Sequence, residues 1–284
     1  MTDRETVAAR VEAAFGERPA TLRELDGGMI GEVYRADFPD RPALVAKVGD
    51  TPLSVEARML RALDDAGLPV PAVEHASDEL LLMEYVDADG PITPAVERDV
   101  ADHLAALHGE TASAYGFPFD TLTGPLDQPN PWTDSWVAFF RDQRLRYMAE
   151  LVREGGELSA SLHDRVERVA DSLGELLVEP ERPTLIHGDC WRENVLACER
   201  GDGVAAFLDP ACYYAHREVE LAYVRWTDAF GDPFFERYRE RRGIDPGFEE
   251  RYPVYALYPT LTHVRLFGEE YLPALRALLD AVEW

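Results

Sequence analysis

The first third of the chain alternates short apolar runs with turn residues, which is the pattern of a small mixed sheet. Alternating and β-branched residues predict five strands, over 21–26, 31–38, 43–48, 72–75 and 80–85. Apolar residues spaced three and four positions apart predict helices over 3–15 and 54–63. We expect these elements to form an N-terminal lobe, residues 1–87, around a mostly antiparallel sheet.

From residue 88 onward the apolar spacing is that of helices. It predicts helices over 94–108, 133–153, 158–177, 217–228, 233–242, 247–266 and 269–283. The turn-rich stretch 117–131 predicts a long connection, and long connections often border a functional site. The pattern therefore predicts a second, larger and mainly helical lobe over 88–284, and hence a bilobal α+β fold.

Three polar residues stand at the ends of strand-like runs in the second lobe. Asp189 follows the apolar run 183–186, Asn194 comes five positions later, and Asp209 follows the run 204–208. This spacing is typical of phosphoryl-transfer enzymes, in which the first Asp accepts a hydroxyl proton and the other two residues bind Mg²⁺. We therefore predict Asp189 as catalytic, and Asn194 and Asp209 as metal ligands. Simple turn formation is the alternative, and the His-Gly pair before Asp189 favours catalysis.

A single lysine stands among the 28 basic residues of the chain. It is Lys47, in a strand-like run that follows a glycine-rich turn. Kinases of this type place there the lysine that contacts the α- and β-phosphates, a role that a planar guanidinium does not fill. Glu56, on the next predicted helix, is the expected partner of this ammonium, although a surface carboxylate is the alternative.

The nucleotide side has two further predicted parts. Gly27, Gly28 and Gly31 lie in the turn before Lys47, where the missing Cβ lets backbone N–H groups approach phosphate oxygens. A plain hairpin turn is the alternative for these glycines. Glu84 and Val86 end the first lobe, and their backbone groups are predicted to contact adenine.

The composition of the chain argues against some classes of binding partner. The net charge of −26 and pI near 4.5 argue against nucleic acid or an anionic membrane as a partner. A large acidic excess with almost no lysine is similar to cytosolic proteins of extreme halophiles. GC-rich coding is the alternative for the arginine bias, although it would not by itself produce a net charge of −26. No apolar stretch reaches about 18 residues, so we expect a cytoplasmic protein. Three cysteines without a CxxC pair predict neither a disulfide framework nor a zinc site.

Several runs of the chain resemble the fructosamine kinase (ketosamine-3-kinase) family, relatives of aminoglycoside and choline kinases within the protein-kinase-like fold. Residues 187–191, His-Gly-Asp-Cys-Trp, resemble that family's His-Gly-Asp-Leu-Trp. Residues 209–222 resemble its Asp-Pro-Ala-x-Tyr-Tyr-Gly-His-x-Glu-x-Asp-Leu-Ala, and residues 262–268 its Asn-His-x-Asn-x-Phe-Gly. The chain departs at Arg192-Glu193, where the family has Ser-Gly.

The resemblance implies a Mg²⁺- and ATP-dependent kinase for the 3-hydroxyl of small or protein-bound ketoamines such as fructosamine or ribulosamine, a deglycation repair. It makes Trp191, His216 and His263 candidates for substrate contacts. Loop packing for Trp191 and a core role for each histidine remain alternatives. Two other functions stay open: the same chemistry on an aminoglycoside, choline or thio-sugar, and a non-catalytic ATP-binding regulator.

Overall fold

The structure is a computed structural model that describes residues 4–25 and 31–282. The N-terminal part of the fold contains five strands: β1 (Thr21–Glu24), β2 (Glu32–Asp37), β3 (Leu44–Val48), β4 (Val73–Ala76) and β5 (Leu81–Glu84). They form one sheet in the order β1-β2-β3-β5-β4, and every pairing in it is antiparallel.

A helix covers each face of this sheet, and the side chains of β3 alternate between the two faces. Ala46 packs in an apolar cluster with helix α1 (Arg4–Phe15), whereas Val45 packs in another with helix α2 (Leu53–Asp65). Lys47 lies two positions from Val45 and therefore points to the α2 face. The strand period thus directs the one lysine of the chain toward a specific helix.

The rest of the described chain is mainly helical. Its helices are α3 (Pro94–Leu107), α4 (Trp136–Phe139), α5 (Tyr147–Gly155), α6 (Ala160–Leu176), α7 (Glu218–Trp226), α8 (Asp232–Arg242), α9 (Phe248–Phe267) and α10 (Leu272–Val282). Short antiparallel strand pairs connect them: β6 (Thr121–Thr123) with β7 (Leu126–Gln128), β8 (Thr184–Ile186) with β11 (Tyr213–Ala215), and β9 (Val195–Ala197) with β10 (Val204–Phe207).

The predicted fold class, an antiparallel sheet followed by a helical region, is confirmed. The lobe boundary at residue 87 stays a prediction. The stretch 117–131 is more ordered than a plain connection, since it contains the β6–β7 hairpin. The strand β11 was also not predicted from the sequence.

The predicted continuous helix over 133–153 is interrupted by a π-helical stretch, Phe140–Arg146. The stretch carries Arg144, whose side chain is fully buried and donates to the Pro129 carbonyl at 2.8 Å and to Asn130 Oδ1 at 2.5 Å. Wider helical turns of this kind often re-aim a side chain toward a tertiary partner. Here the guanidinium binds the segment that follows the β6–β7 hairpin.

None of the helices described combines the length and apolar character that crossing a membrane requires.

The charge imbalance leads to a prediction about stability. The chain has 54 acidic and 28 basic residues, and the described ion pairs are mostly surface pairs such as Arg225–Glu249. Self-repulsion is screened as KCl shortens the Debye length from about 30 Å to about 3 Å. We expect the melting temperature to rise by roughly 5 °C or more between 10 mM and 1 M KCl.

Scanning calorimetry over that KCl series measures the effect, with sucrose at matched osmolality as the control for general solute exclusion. A melting temperature that does not depend on KCl would show that repulsion among the carboxylates does not limit stability.

Candidate functional site

The lysine of β3 lies between two carboxylates. Its Nζ atom is 3.0 Å from Glu56 Oε1 and 2.8 Å from Asp209 Oδ1. Burial acts to lower the pKa of Lys47, but the two neighbouring negative charges outweigh it and the pKa is raised. Burial raises the pKa of Glu56 to about 7. The ammonium therefore stays charged and is held between the sheet and the helical region.

The loop after β8 carries the predicted catalytic carboxylate. Asp189 Oδ1 accepts a hydrogen bond from the Tyr223 hydroxyl at 2.5 Å, and Asp189 Oδ2 accepts one from Asn194 Nδ2 at 3.0 Å. Burial raises the pKa of Asp189 to about 7. The carboxylate is thus fixed in orientation by two donors, which is what a group that orients a hydroxyl requires.

A second acid, on helix α7, holds this loop in place through hydrogen bonds to its backbone. Glu220 on α7 is buried, and its carboxylate accepts from the backbone N–H groups of His187 at 2.7 Å and Gly188 at 2.9 Å. Burial acts to raise the pKa of Glu220, but the hydrogen bond and charge of His108 and the backbone donors lower it. Glu220 stands where the family run given above for residues 209–222 has an aspartate, and its support of this loop is not predicted from the sequence. The signal that could have identified it is an acid on the apolar face of a helix.

Gly188 is required at its position for two reasons. Its φ is +87°, and a Cβ there would lie 2.2 Å from the Ala211 carbonyl oxygen. Gly67 has a similar φ of +81°, but no atom lies within 4 Å of its virtual Cβ. A side chain at either glycine would therefore carry the cost of a left-handed backbone conformation. Only at Gly188 would it also clash with another atom.

We expect Gly67→Ala to lower the free energy of unfolding by about 1 kcal/mol, the usual cost of a left-handed residue. Gly188→Ala is expected to cost roughly 2 kcal/mol more, since the backbone of the catalytic loop must shift. Urea unfolding of both variants measures the difference. Equal losses in the two variants would mean that the loop accommodates the Cβ.

The two predicted metal ligands face the same space. Asn194 ends a 3-10 turn, Arg192–Asn194, and its backbone carbonyl accepts from Leu208 N at 2.9 Å. Asp209 has a left-handed φ of +50°, and its side chain is 51% exposed toward the cleft. Burial acts to raise the pKa of Asp209, but Lys47 lowers it below its usual value. A carboxylate and an amide oxygen are the ligand types that suit Mg²⁺, so the donor set fits that ion.

Two cavities meet at Asp189. The first, of about 670 Å³, is lined by the predicted nucleotide and metal residues Lys47, Glu56, Glu84, Val86, Asn194 and Asp209. The second, of about 530 Å³, is lined mostly by aromatic and aliphatic side chains, several of them on α7 and α9, and includes His263. Asp189, Trp191 and Gly124 line both cavities. The carboxylate therefore lies where a molecule in one cavity would meet a molecule in the other.

The remaining predicted residues are placed as follows. Gly31 has a φ of +89°, and a Cβ there would lie 2.7 Å from the Val48 carbonyl oxygen, so it keeps the turn close to β3. Gly27 and Gly28 lie outside the described residues. Trp191 is half-buried beside Asp189, and its role as a substrate contact stays a prediction.

His216 is not brought to either cavity within the described part of the chain. It is buried, its ring packs against Trp136, and its Nδ1 atom lies 2.9 Å from the Tyr255 hydroxyl. Burial lowers its pKa to about 3. This placement favours the core role of His216 over a substrate contact. The family motif identifies a histidine at this position, but it does not show whether the side chain points into the core or into a cavity.

Comparison with known proteins gives a consistent set of relatives. Residues 5–283 match the model of the fructosamine kinase family. The chain is 36% identical over 63% of its length to a ketoamine-kinase candidate of Vibrio cholerae, and 31% identical over 70% of its length to the chloroplastic protein-ribulosamine 3-kinase of Arabidopsis thaliana. These alignments span 60% of the length of each relative.

A solved structure is similar over almost the full chain. A fructosamine-3-kinase candidate from Thermobifida fusca is 33% identical, with a TM-score of 0.87 and 99% of both chains covered.

Proposed function

The chain belongs to the fructosamine kinase family, and on that premise we propose that it transfers phosphate from ATP to the 3-hydroxyl of ketoamines. Ketoamines are the adducts that form when sugars glycate amines, and the 3-phosphate labilises the adduct, so the proposed role is deglycation repair. The observation that carries the proposal is that Asp189 lies at the junction of the two cavities. The acidic composition supports a cytoplasmic location as part of the same proposal.

Each cavity supplies one half of the reaction. Lys47 offers a buried ammonium to phosphate oxygens in the first cavity, where Glu56 holds it in place. A hydroxyl bound in the second cavity would reach Asp189 from the other side. Asp189 would accept the hydroxyl proton while the acceptor oxygen bonds to the γ-phosphorus and the bond to the β-phosphate oxygen breaks, releasing ADP.

Asn194 and Asp209 are the residues that would hold Mg²⁺. When bound, the ion would neutralise negative charge on the phosphate oxygens. Asn194 donates its amide nitrogen to Asp189, so its carbonyl oxygen is the atom left to bind a cation. Asp209 accepts from Lys47 through Oδ1, which leaves Oδ2 as its second oxygen donor.

An acceptor panel tests the proposal. ATP consumption is measured with fructosamine and ribulosamine derivatives, an aminoglycoside, choline and a thio-sugar, in molar KCl with Mg²⁺. We expect the ketoamines to have the highest kcat/KM values. Phosphorylation of an aminoglycoside or choline in preference to every ketoamine would replace this function by the alternative, and ATP binding without turnover on any acceptor would point to a regulator.

A further inference from the structure

The charged residues that line the second cavity are all acidic. Three of its lining residues are acids, Asp189, Glu220 and Glu270, and no lysine or arginine of the described chain lines it. The chain has 28 basic residues, but none of those in the described part lines this cavity of about 530 Å³. No basic side chain in the cavity wall therefore neutralises the three carboxylates. An anionic acceptor would meet only like charge there.

Two of the three acids are already occupied. The carboxylate of Glu220 accepts two backbone hydrogen bonds under the catalytic loop, and that of Asp189 accepts from Tyr223 and Asn194. Glu270 is different, because it is exposed and has no basic partner among the described residues. It is therefore the carboxylate of this cavity that can neutralise a ligand.

Aromatic rings line the same cavity as Glu270. Trp226 and His263 have ring centroids 4.7 Å apart, and the His263 and Tyr271 centroids are 5.0 Å apart. Burial lowers the pKa of His263, so the imidazole is neutral near pH 7 and does not repel a cation. Ring faces of tryptophan and tyrosine attract ammonium groups, and a desolvated wall strengthens that attraction.

We propose that the second cavity is a subsite for the cationic amine of the acceptor, with Glu270 as its counter-charge and Trp226 and Tyr271 as its aromatic wall. The inference rests on the proposed function, and it adds the recognition of the carrier amine to that of the sugar. A ketoamine contains a secondary amine that is protonated at neutral pH, whereas a free ketose has none. The subsite would therefore select amine adducts over free sugars and would reject sugar phosphates.

The test compares two acceptors that share one sugar. The first is an N-alkyl ketoamine with a protonated secondary amine, and the second is its N-acetyl derivative, which is neutral. Glu270→Gln is the test variant, and Glu269→Gln is the matched control, since Glu269 is an exposed neighbour on the same turn and does not line the cavity in the described chain. KM for acceptor and ATP, and kcat, are measured at the lowest KCl that keeps the protein folded.

We expect Glu270→Gln to raise the KM for the cationic ketoamine by about two- to fivefold, as loss of one solvent-exposed ionic contact predicts. The KM for the N-acetyl acceptor, the KM for ATP and the melting temperature should stay unchanged. Glu269→Gln should change none of these values. Equal KM values for the cationic acceptor in wild type and Glu270→Gln would overturn the subsite while leaving the kinase activity in place.

A binding measurement separates this inference from the proposed function. Titration calorimetry of the N-alkyl ketoamine, without ATP, reports the subsite even if no phosphate is transferred. Binding that weakens in Glu270→Gln without any turnover in wild type would support the subsite and contradict the ketoamine kinase function. Absence of both binding and turnover in wild type would overturn both.

Discussion

Replacing Asp189 by asparagine is expected to lower kcat by about 10²- to 10⁴-fold, the usual contribution of a positioned general base. Asparagine can accept from Asn194 Nδ2 through its carbonyl oxygen and donate its amide N–H to the Tyr223 hydroxyl oxygen, so the side chain should keep its place while losing the ability to accept a proton. ATP affinity should change little, since Lys47 and Asp209 are untouched. Steady-state kinetics with the best ketoamine acceptor and equilibrium titration with ATP measure the two effects.

Stability provides the control for this variant. Burial raises the pKa of Asp189 to about 7, which shows that the fold does not favour its charged form. We therefore expect Asp189→Asn to melt at or above the wild-type temperature, so a loss of activity cannot be attributed to unfolding. Asp202→Asn, at an exposed position, is the matched change and should leave kcat unaltered. A kcat within about threefold of wild type in Asp189→Asn would remove this carboxylate from the chemistry.

The parts of the site that the sequence could predict are those carried by local order along the chain. Lys47 was placed because strand alternation and a preceding glycine turn fix its direction. Asp189 and Asn194 are separated by one short loop, so their spacing already limits how far apart they can lie. Predicting Glu56 requires one further inference, namely that its helix packs on the face of the sheet toward which Lys47 points.

Contacts between distant segments could not be predicted in the same way. Glu220 supports a loop 32 residues earlier in the chain, and Arg144, which lies in the π-helical stretch, binds Asn130. The apolar spacing predicts that Glu220 and Arg144 lie on helices, but it does not predict that their charged side chains are buried. His216 illustrates the reverse case, since a family motif suggested the substrate and packing around Tyr255 places it in the core.

Replacing Lys47 by methionine is expected to lower kcat/KM for ATP by about 10²- to 10³-fold and also to destabilise the fold by roughly 3 kcal/mol. The activity falls because no other ammonium or guanidinium of the described chain lines the first cavity apart from Arg192. The stability falls because Glu56, which is 9% exposed, loses its partner and must be buried as an unpaired acid. Kinetics and urea unfolding measure the two losses separately.

A double variant divides the structural role of Lys47 from its catalytic one. Lys47→Met with Glu56→Gln removes both members of the buried pair, and a neutral amide is less costly to bury than an unpaired carboxylate. We expect the double variant to regain most of the lost unfolding free energy while its kcat/KM stays at the level of the single variant. If activity returned together with stability, the ammonium would have only a structural role. The placement of ATP phosphates beside Lys47 would then have to be abandoned.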